Sequence, residues 1–222
     1  TIVMPEDSPK AKLNGTAFWG ATIIKYDRNK ENREEIGKKI AKDINAKIIP
    51  PFDDEKVIIG QGTAGIECIE QLNEMNVTPD IVLCCCGGGG LIAGVGTAMK
   101  EKFQNAKIYS VEPENFDDTK KSLKENSIIS NSMKHNSICD ALLADKPGKI
   151  TFEINKLNLT SGLSAKSASQ IETCFIEFEI IEFSLSDFLV SSKFSGSTEY
   201  ILAFLNFSFI AVLIPAMRPP PP

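Results

Sequence analysis

The stretch Asp80–Gly96, DIVLCCCGGGGLIAGVG, does most to limit what this chain can fold into. Ile81 to Cys86 is a run of apolar and small residues with no polar alternation, the pattern of a strand covered on both faces in a parallel sheet. Four glycines follow, Gly87 to Gly90, and then a helix from Leu91 to Phe103. Glycines let a backbone turn its N–H groups toward an oxyanion without side-chain obstruction, and a helix N-terminus adds its free amides and dipole at the same place. Strand, glycine turn and helix therefore predict an anion cradle of phosphate size; the alternative is a tight turn that holds nothing. Gly94 and Gly96 lie inside the helix at a cost of about 1 kcal/mol each relative to Ala, which predicts close packing of that helix on the sheet.

The rest of the chain repeats this alternation. Ile2 to Met4 reads as a strand. Ser8 and Pro9 read as a helix start, with Gly20 as the left-handed exit after Trp19. Ala21 to Tyr26 is strand-like. Glu31 to Ile44 is a charged helix with a stripe of Ile36, Ile40 and Ile44, and Lys47 to Ile49 is a strand stopped by Pro50 and Pro51. After a loop, FDDEK, Thr63 reads as the cap of a helix carrying Ile66, Ile69 and Leu72, and Lys107 to Glu112 as a further strand. The prediction is an α/β fold: an open, mostly parallel sheet with helices on both faces. Residues 1–52 read as part of a small domain and 53–160 as part of a large one. Residues 161–222 read as a divergent tail. From about Leu157 Ser and Phe become frequent and periodicity blurs, as a shifted reading frame would produce. Tyr200 to Ile214 is almost wholly apolar but shorter than a membrane span, and reads as a buried helix or a non-native tail.

Composition removes several classes. The chain has 222 residues, 42% hydrophobic, and a net charge of −5. Basic residues do not cluster or interleave with aromatics, so neither nucleic acid nor a membrane is an expected partner. Of six cysteines, Cys84, Cys85 and Cys86 are contiguous and no CxxC pair exists. They read as small buried residues kept reduced in a cytoplasm, with a redox or metal role for the trio as the alternative. His135 has no chemical partner in the sequence.

Two constellations can carry chemistry. Gly88, Gly90 and Ala93 also satisfy G-x-G-x-x-A, with Glu112 about twenty residues on. That is the form of a dinucleotide fingerprint, so a nicotinamide-dependent oxidoreductase is one reading. Glu112-Pro113-Glu114-Asn115-Phe116-Asp117-Asp118 follows the end of a strand. Glu112 and Asp118 with a carbonyl between them suit a hard cation; a solvated acidic turn is the alternative.

Taken together, IVMPEDSPKAK, FWGATIIKYDRNKENRE, IIPPFDDEKVIIGQGTAGIE, DIVLCCCGGGGLIAG, IYSVEPENFDD and the weaker SICDALLADKPGKITFEI resemble, in order, the threonine/serine dehydratase and serine racemase family. These are fold-type II enzymes dependent on pyridoxal 5′-phosphate (PLP), with a tryptophan synthase β-like fold. The resemblance covers residues 1 to about 156. It implies that Gly87, Gly88, Gly89 and Gly90, with Leu91, hold the PLP phosphate. It implies that Glu112, the Phe116 carbonyl and Asp118 hold Mg2+ or another divalent cation, and that Phe52 lies near the cofactor. Ala141 stands where many relatives have Gly. The family's SFK-type Schiff-base lysine motif and SGNH-type loop do not occur in this sequence, and Phe194-Ser195-Gly196-Ser197 only faintly echoes a PSGA-type segment, so no catalytic residue is assigned. The implied activity is conversion of a β-hydroxy amino acid to a 2-oxo acid and ammonia, by a protein that is a homo-oligomer when complete. The chain begins at Thr1 and ends in a proline run, and we read it as an internal, inactive part of such an enzyme, with weak phosphate binding, no turnover and low solubility. A non-catalytic ligand-binding module is the other reading.

Overall fold

The computed structural model describes residues 1–28, 30–131, 139–165, 200–205 and 208–213. The chain forms two compact units, Thr1–Ile49 and Pro50–Pro222.

In the first unit, β1 (Ile2–Pro5) and β2 (Ile23–Tyr26) pair in parallel, joined by α1 (Lys10–Phe18), and α2 (Arg33–Asp43) follows. The helix α1 begins after Pro9, without a side-chain cap from Ser8, because Pro9 itself is the extended N-cap and its carbonyl accepts the first bonds, from Lys12 and Leu13. Gly20 has φ +80°, the left-handed exit that its sequence position predicts. Asn32 caps α2 through Oδ1, accepting from the Glu34 and Glu35 amides at 2.9 and 3.4 Å. The strand expected at Lys47–Ile49 does not form. No described neighbour pairs with it, and Pro50 and Pro51 offer no N–H beyond it. Ile49 is 74% exposed.

The second unit holds the core. α3 (Glu55–Glu74) starts nine residues earlier than a cap at Thr63 would place it, because Asp54 caps it: its Oδ1 accepts from the Lys56 and Val57 amides at 3.0 and 3.2 Å. Thr63 is interior to the helix and donates to the Gly60 carbonyl at 2.7 Å. The buried face of α3 is Ile58, Gly65, Cys68 and Leu72, while Ile66 is exposed. β3 (Ile81–Cys85), α4 (Gly90–Lys102), β4 (Lys107–Pro113), α5 (Asp118–Glu125), α6 (Lys149–Asn158) and β5 (Ser161–Ala165) follow. β3, β4 and β5 run parallel. Beyond them, β6 (Tyr200–Leu205) and β7 (Ser208–Leu213) form an antiparallel hairpin whose β7 pairs with β3, in the sheet order β5-β4-β3-β7-β6. Tyr200–Leu205 and Ser208–Leu213 are thus strands and not the buried helix that is one of two readings of this segment, as suits its Ile and Phe residues.

The core lies between β3, α3 and α4, where Val82, Cys84, Ile92, Val95 and Met99 have no exposed surface. Gly94 faces α3 and not the sheet. A Cβ there would fall on the Ile58 carbonyl oxygen and within 2.5 Å of the Gly62 nitrogen. The interior glycines of these two helices allow backbone to meet backbone.

Candidate functional site

The glycine turn lies at the C-terminal end of β3, the edge of a parallel sheet where ligands collect. Gly89 is the N-cap of α4 with φ +91°, a conformation that favours glycine. Its neighbours are equally confined. A Cβ on Gly88 would fall on the Phe52 ring, one on Gly90 would lie 2.9 Å from the Phe52 Cβ, and one on Gly87 would lie 3.3 Å from the Leu142 Cα and 3.4 Å from the Ala141 carbonyl oxygen. Ala141 therefore packs its backbone against the turn.

The turn's carbonyls are held from one side by α6. The Gly88 carbonyl accepts from the Thr151 hydroxyl at 2.8 Å and the Gly148 amide at 3.2 Å. The Gly89 carbonyl accepts from Asn155 Nδ2 at 3.3 Å and from the Ala93 amide at 3.0 Å. In a planar trans peptide the C=O and the next N–H point in opposite directions. Fixing those two carbonyls toward α6 and α4 therefore turns the Gly89 and Gly90 amides away from them. None of the Gly87–Leu91 amides donates to a protein acceptor among the described residues. These donors stand at the start of a thirteen-residue helix. They are a set that an anion would satisfy.

Glu112 and Asp118 are buried, whereas Glu114 and Asn115 between them are exposed. Glu112 and Asp118 are each 1% exposed. Glu112 accepts from the Thr119 and Lys120 amides, both at 2.8 Å, and so caps α5. Burial raises its pKa to about 8, with the nearby Asp118 carboxylate adding to the rise and the Thr119 amide opposing it. Burial also raises Asp118 to about 6, opposed by the bond from Asn131 Nδ2 to Oδ1 at 2.7 Å. Asp118 Oδ2 is buried without a partner among the described residues. The Phe116 carbonyl accepts no hydrogen bond from the described residues. No three His, Cys, Asp or Glu side chains gather into a metal-binding group among those residues. A cation here would need the Phe116 carbonyl as its third protein ligand.

Other candidates resolve differently. A dinucleotide fingerprint would use Glu112 for ribose hydroxyls, yet both its oxygens face the start of α5 in the interior. Cys84 and Cys86 are buried. The hydrogen bond to Cys85 and burial push the Cys84 thiol well up, and burial, with Glu112 adding, does the same for Cys86; neither is a nucleophile. No disulfide forms among the described cysteines. A cleft of about 760 Å³ lies at the opposite end of the strands, lined by Asn73, Asn76, Asp80, Lys102 and Asn105. His135 and Phe194–Ser197 lie outside the described residues.

Sequence reading missed Asp53, Thr151 and Asn155. Asp53 accepts from the Lys149, Ile150 and Thr151 amides at 3.0, 2.8 and 3.2 Å. No local pattern signals a cap almost a hundred residues from the helix it starts.

Known proteins resemble this chain in sequence and fold. The chain is 36% identical over 173 residues to the L-threo-3-hydroxyaspartate ammonia-lyase of Saccharomyces cerevisiae, covering 78% of this chain and 51% of that protein. It is 39% identical over 158 residues to the serine racemase of Dictyostelium discoideum, covering 71% and 47%. Among solved structures, the threonine deaminase of T.th. superposes with a TM-score of 0.68 at 35% identity, covering 78% of this chain and 56% of that one. The chain thus spans about half the length of the curated relatives it matches. The model of the family described as pyridoxal-phosphate dependent enzyme matches residues 1–174. With its glycine turn, sheet and helices in this order, the chain belongs to the pyridoxal-phosphate dependent enzyme family.

Proposed function

We propose that this chain serves a PLP-dependent ammonia-lyase that converts a β-hydroxy amino acid to a 2-oxo acid and ammonia, and that Gly87–Leu91 hold the phosphate of the cofactor. The observation that carries this reading is the row of amides at the start of α4 without a protein acceptor among the described residues, turned by the bonds that Thr151 and Asn155 make to the opposite side. The cradle suits the group: glycine at every position where a Cβ would collide, a left-handed Gly89, and a helix dipole behind. When bound, PLP supplies an electron-withdrawing ring that stabilises negative charge at an amino-acid Cα. The chain's own part is positional. Anchoring a phosphate by these amides fixes the ring's distance from the groups that act on substrate, and such positioning is a large share of catalysis. Phe52, packed on Gly88 and Gly90, walls the turn on one side.

Glu112, the Phe116 carbonyl and Asp118 would hold a divalent cation such as Mg2+. The unpartnered Asp118 Oδ2 supports this, since a buried carboxylate oxygen with no donor is costly. We place the protein in the cytoplasm because no disulfide joins its described cysteines and Cys68, Cys84 and Cys86 are buried, as suits a reducing compartment. No helix among the described residues is long and apolar enough to cross a membrane. Residues 1–52 belong to a small domain and 53–160 to a larger, cofactor-phosphate domain, and the whole protein is a homo-oligomer.

Calorimetric titration with PLP tests the cradle: saturable binding that Gly89→Val removes is the expected result, and binding unaffected by that change overturns it. Formation of 2-oxo acid from L-threonine, L-serine or L-threo-3-hydroxyaspartate by a protein that extends this chain to family length tests the activity. Melting with and without Mg2+ tests the cation, with stabilisation expected in the wild type and none in Asp118→Asn.

A further inference from the structure

Two consecutive aspartates start two different helices. Asp54 caps α3, and Asp53 caps α6 through the three amides of Lys149, Ile150 and Thr151. The N-cap position of α6 is Gly148, which has no side chain of its own to do this. A Cβ on Gly148 would fall on the Asp53 carboxylate. The cap is thus built from two distant parts of the chain: a glycine that leaves room and a carboxylate that fills it.

What α6 then does is specific. Its Thr151 hydroxyl and Asn155 amide have no exposed surface, and they hold the Gly88 and Gly89 carbonyls. Asn155 leaves its Oδ1 buried without a partner among the described residues while Nδ2 reaches Gly89. A buried acceptor left without a donor is costly, and packing alone does not require it. The Asp53 carboxylate also neutralises the positive end of the α6 dipole beside the glycine turn, so the start of α4 is left as the place for an anion.

We propose that Asp53 is a positioning residue for the phosphate cradle: it holds α6 so that Thr151 and Asn155 fix the glycine carbonyls and aim the Gly89 and Gly90 amides at the ligand. This rests on the cradle reading above. Asp53 does not touch the ligand in this arrangement; it acts through α6.

The test compares pyridoxine 5′-phosphate with pyridoxine, by calorimetry on the full chain. Neither has an aldehyde, so surface lysines cannot form imines with them. The wild type is expected to prefer the phosphorylated form. Asp53→Ala and Thr151→Val should each lower that preference about tenfold, the size expected when one or two charge-assisted hydrogen bonds are misdirected. Asp53→Asn and Thr151→Ser, which keep an acceptor and a hydroxyl, should retain most of it. Melting curves accompany each variant, so binding is read well below its midpoint. Variants that melt lower yet keep the full preference would show a purely structural cap and overturn the proposal. A wild type with no preference for the phosphorylated form would overturn the cradle reading itself, and this proposal with it.

Discussion

Residues 1–49 and the unit that follows are built from the same parts, parallel strands crossed by helices, but only one has an interior. In the first unit neither α1 nor α2 buries a single residue, and Tyr26, at 8% exposure, is the one buried side chain among its described residues. In the second, α4 alone buries seven, and two helices meet through glycine backbones. Caps and local propensity are therefore enough to set out helices, but they do not by themselves exclude water. The glycine turn and the buried carboxyls Glu112 and Asp118 sit in the unit that does.

The largest break in this contrast should come at Gly94. Gly94→Val places side-chain atoms on the Ile58 carbonyl oxygen and the Gly62 nitrogen, both backbone and unable to swing aside. A loss of about 3 kcal/mol or more is expected, far above the ~0.5 kcal/mol a better helix former returns. Urea unfolding followed by circular dichroism measures it; a loss below about 1 kcal/mol would mean the helices separate easily.

Next comes pH. Glu112 goes from an ordinary 4.5 to about 8 on folding, and Asp118 from 3.8 to about 6. The folded state then holds more protons than the unfolded one between these values, so stability falls as pH rises. With a chelator present, the melting temperature should decline from about pH 4 to pH 8 and then level. Glu112→Gln should flatten the slope above about pH 6. A melting temperature that climbs over that interval would contradict the buried-carboxyl picture.

Smaller effects belong to the first unit. Asn32→Ala removes the α2 cap and should cost about 1 kcal/mol of helix stability, seen as a loss of ellipticity with little change in the main unfolding midpoint of the second unit. Trp19→Ser should change stability by less than about 0.5 kcal/mol. Phe18 and Trp19 stack edge-on, 80% and 84% exposed, so that variant should reduce concentration-dependent association in sedimentation.

Much of this is legible in the sequence because glycine and proline act on their own backbone. Four glycines before a helix, Gly20 after one, and the run Ile81–Cys85 all mark where the chain must turn or be covered. What is not legible depends on a partner elsewhere. Lys47–Ile49 is composed like a strand but has none to pair with. Gly94 reads as facing the sheet because nothing local says that Gly62 waits opposite. The start of α3 is readable, an Asp followed by Glu before an apolar pair, but glycines at 60, 62 and 65 obscure the helix. Asp53 cannot be read at all, since its amides belong to residues 149–151.

Adjacent α-carbons lie about 3.8 Å apart. The aspartates that begin α3 and α6 are such neighbours, so neither helix start can shift far without dragging the other. Length in this segment is consequently more constrained than chemistry. Exchanging either acid for Asn or Ser leaves the spacing intact, whereas inserting one residue between them uncouples two helix starts at a single bond.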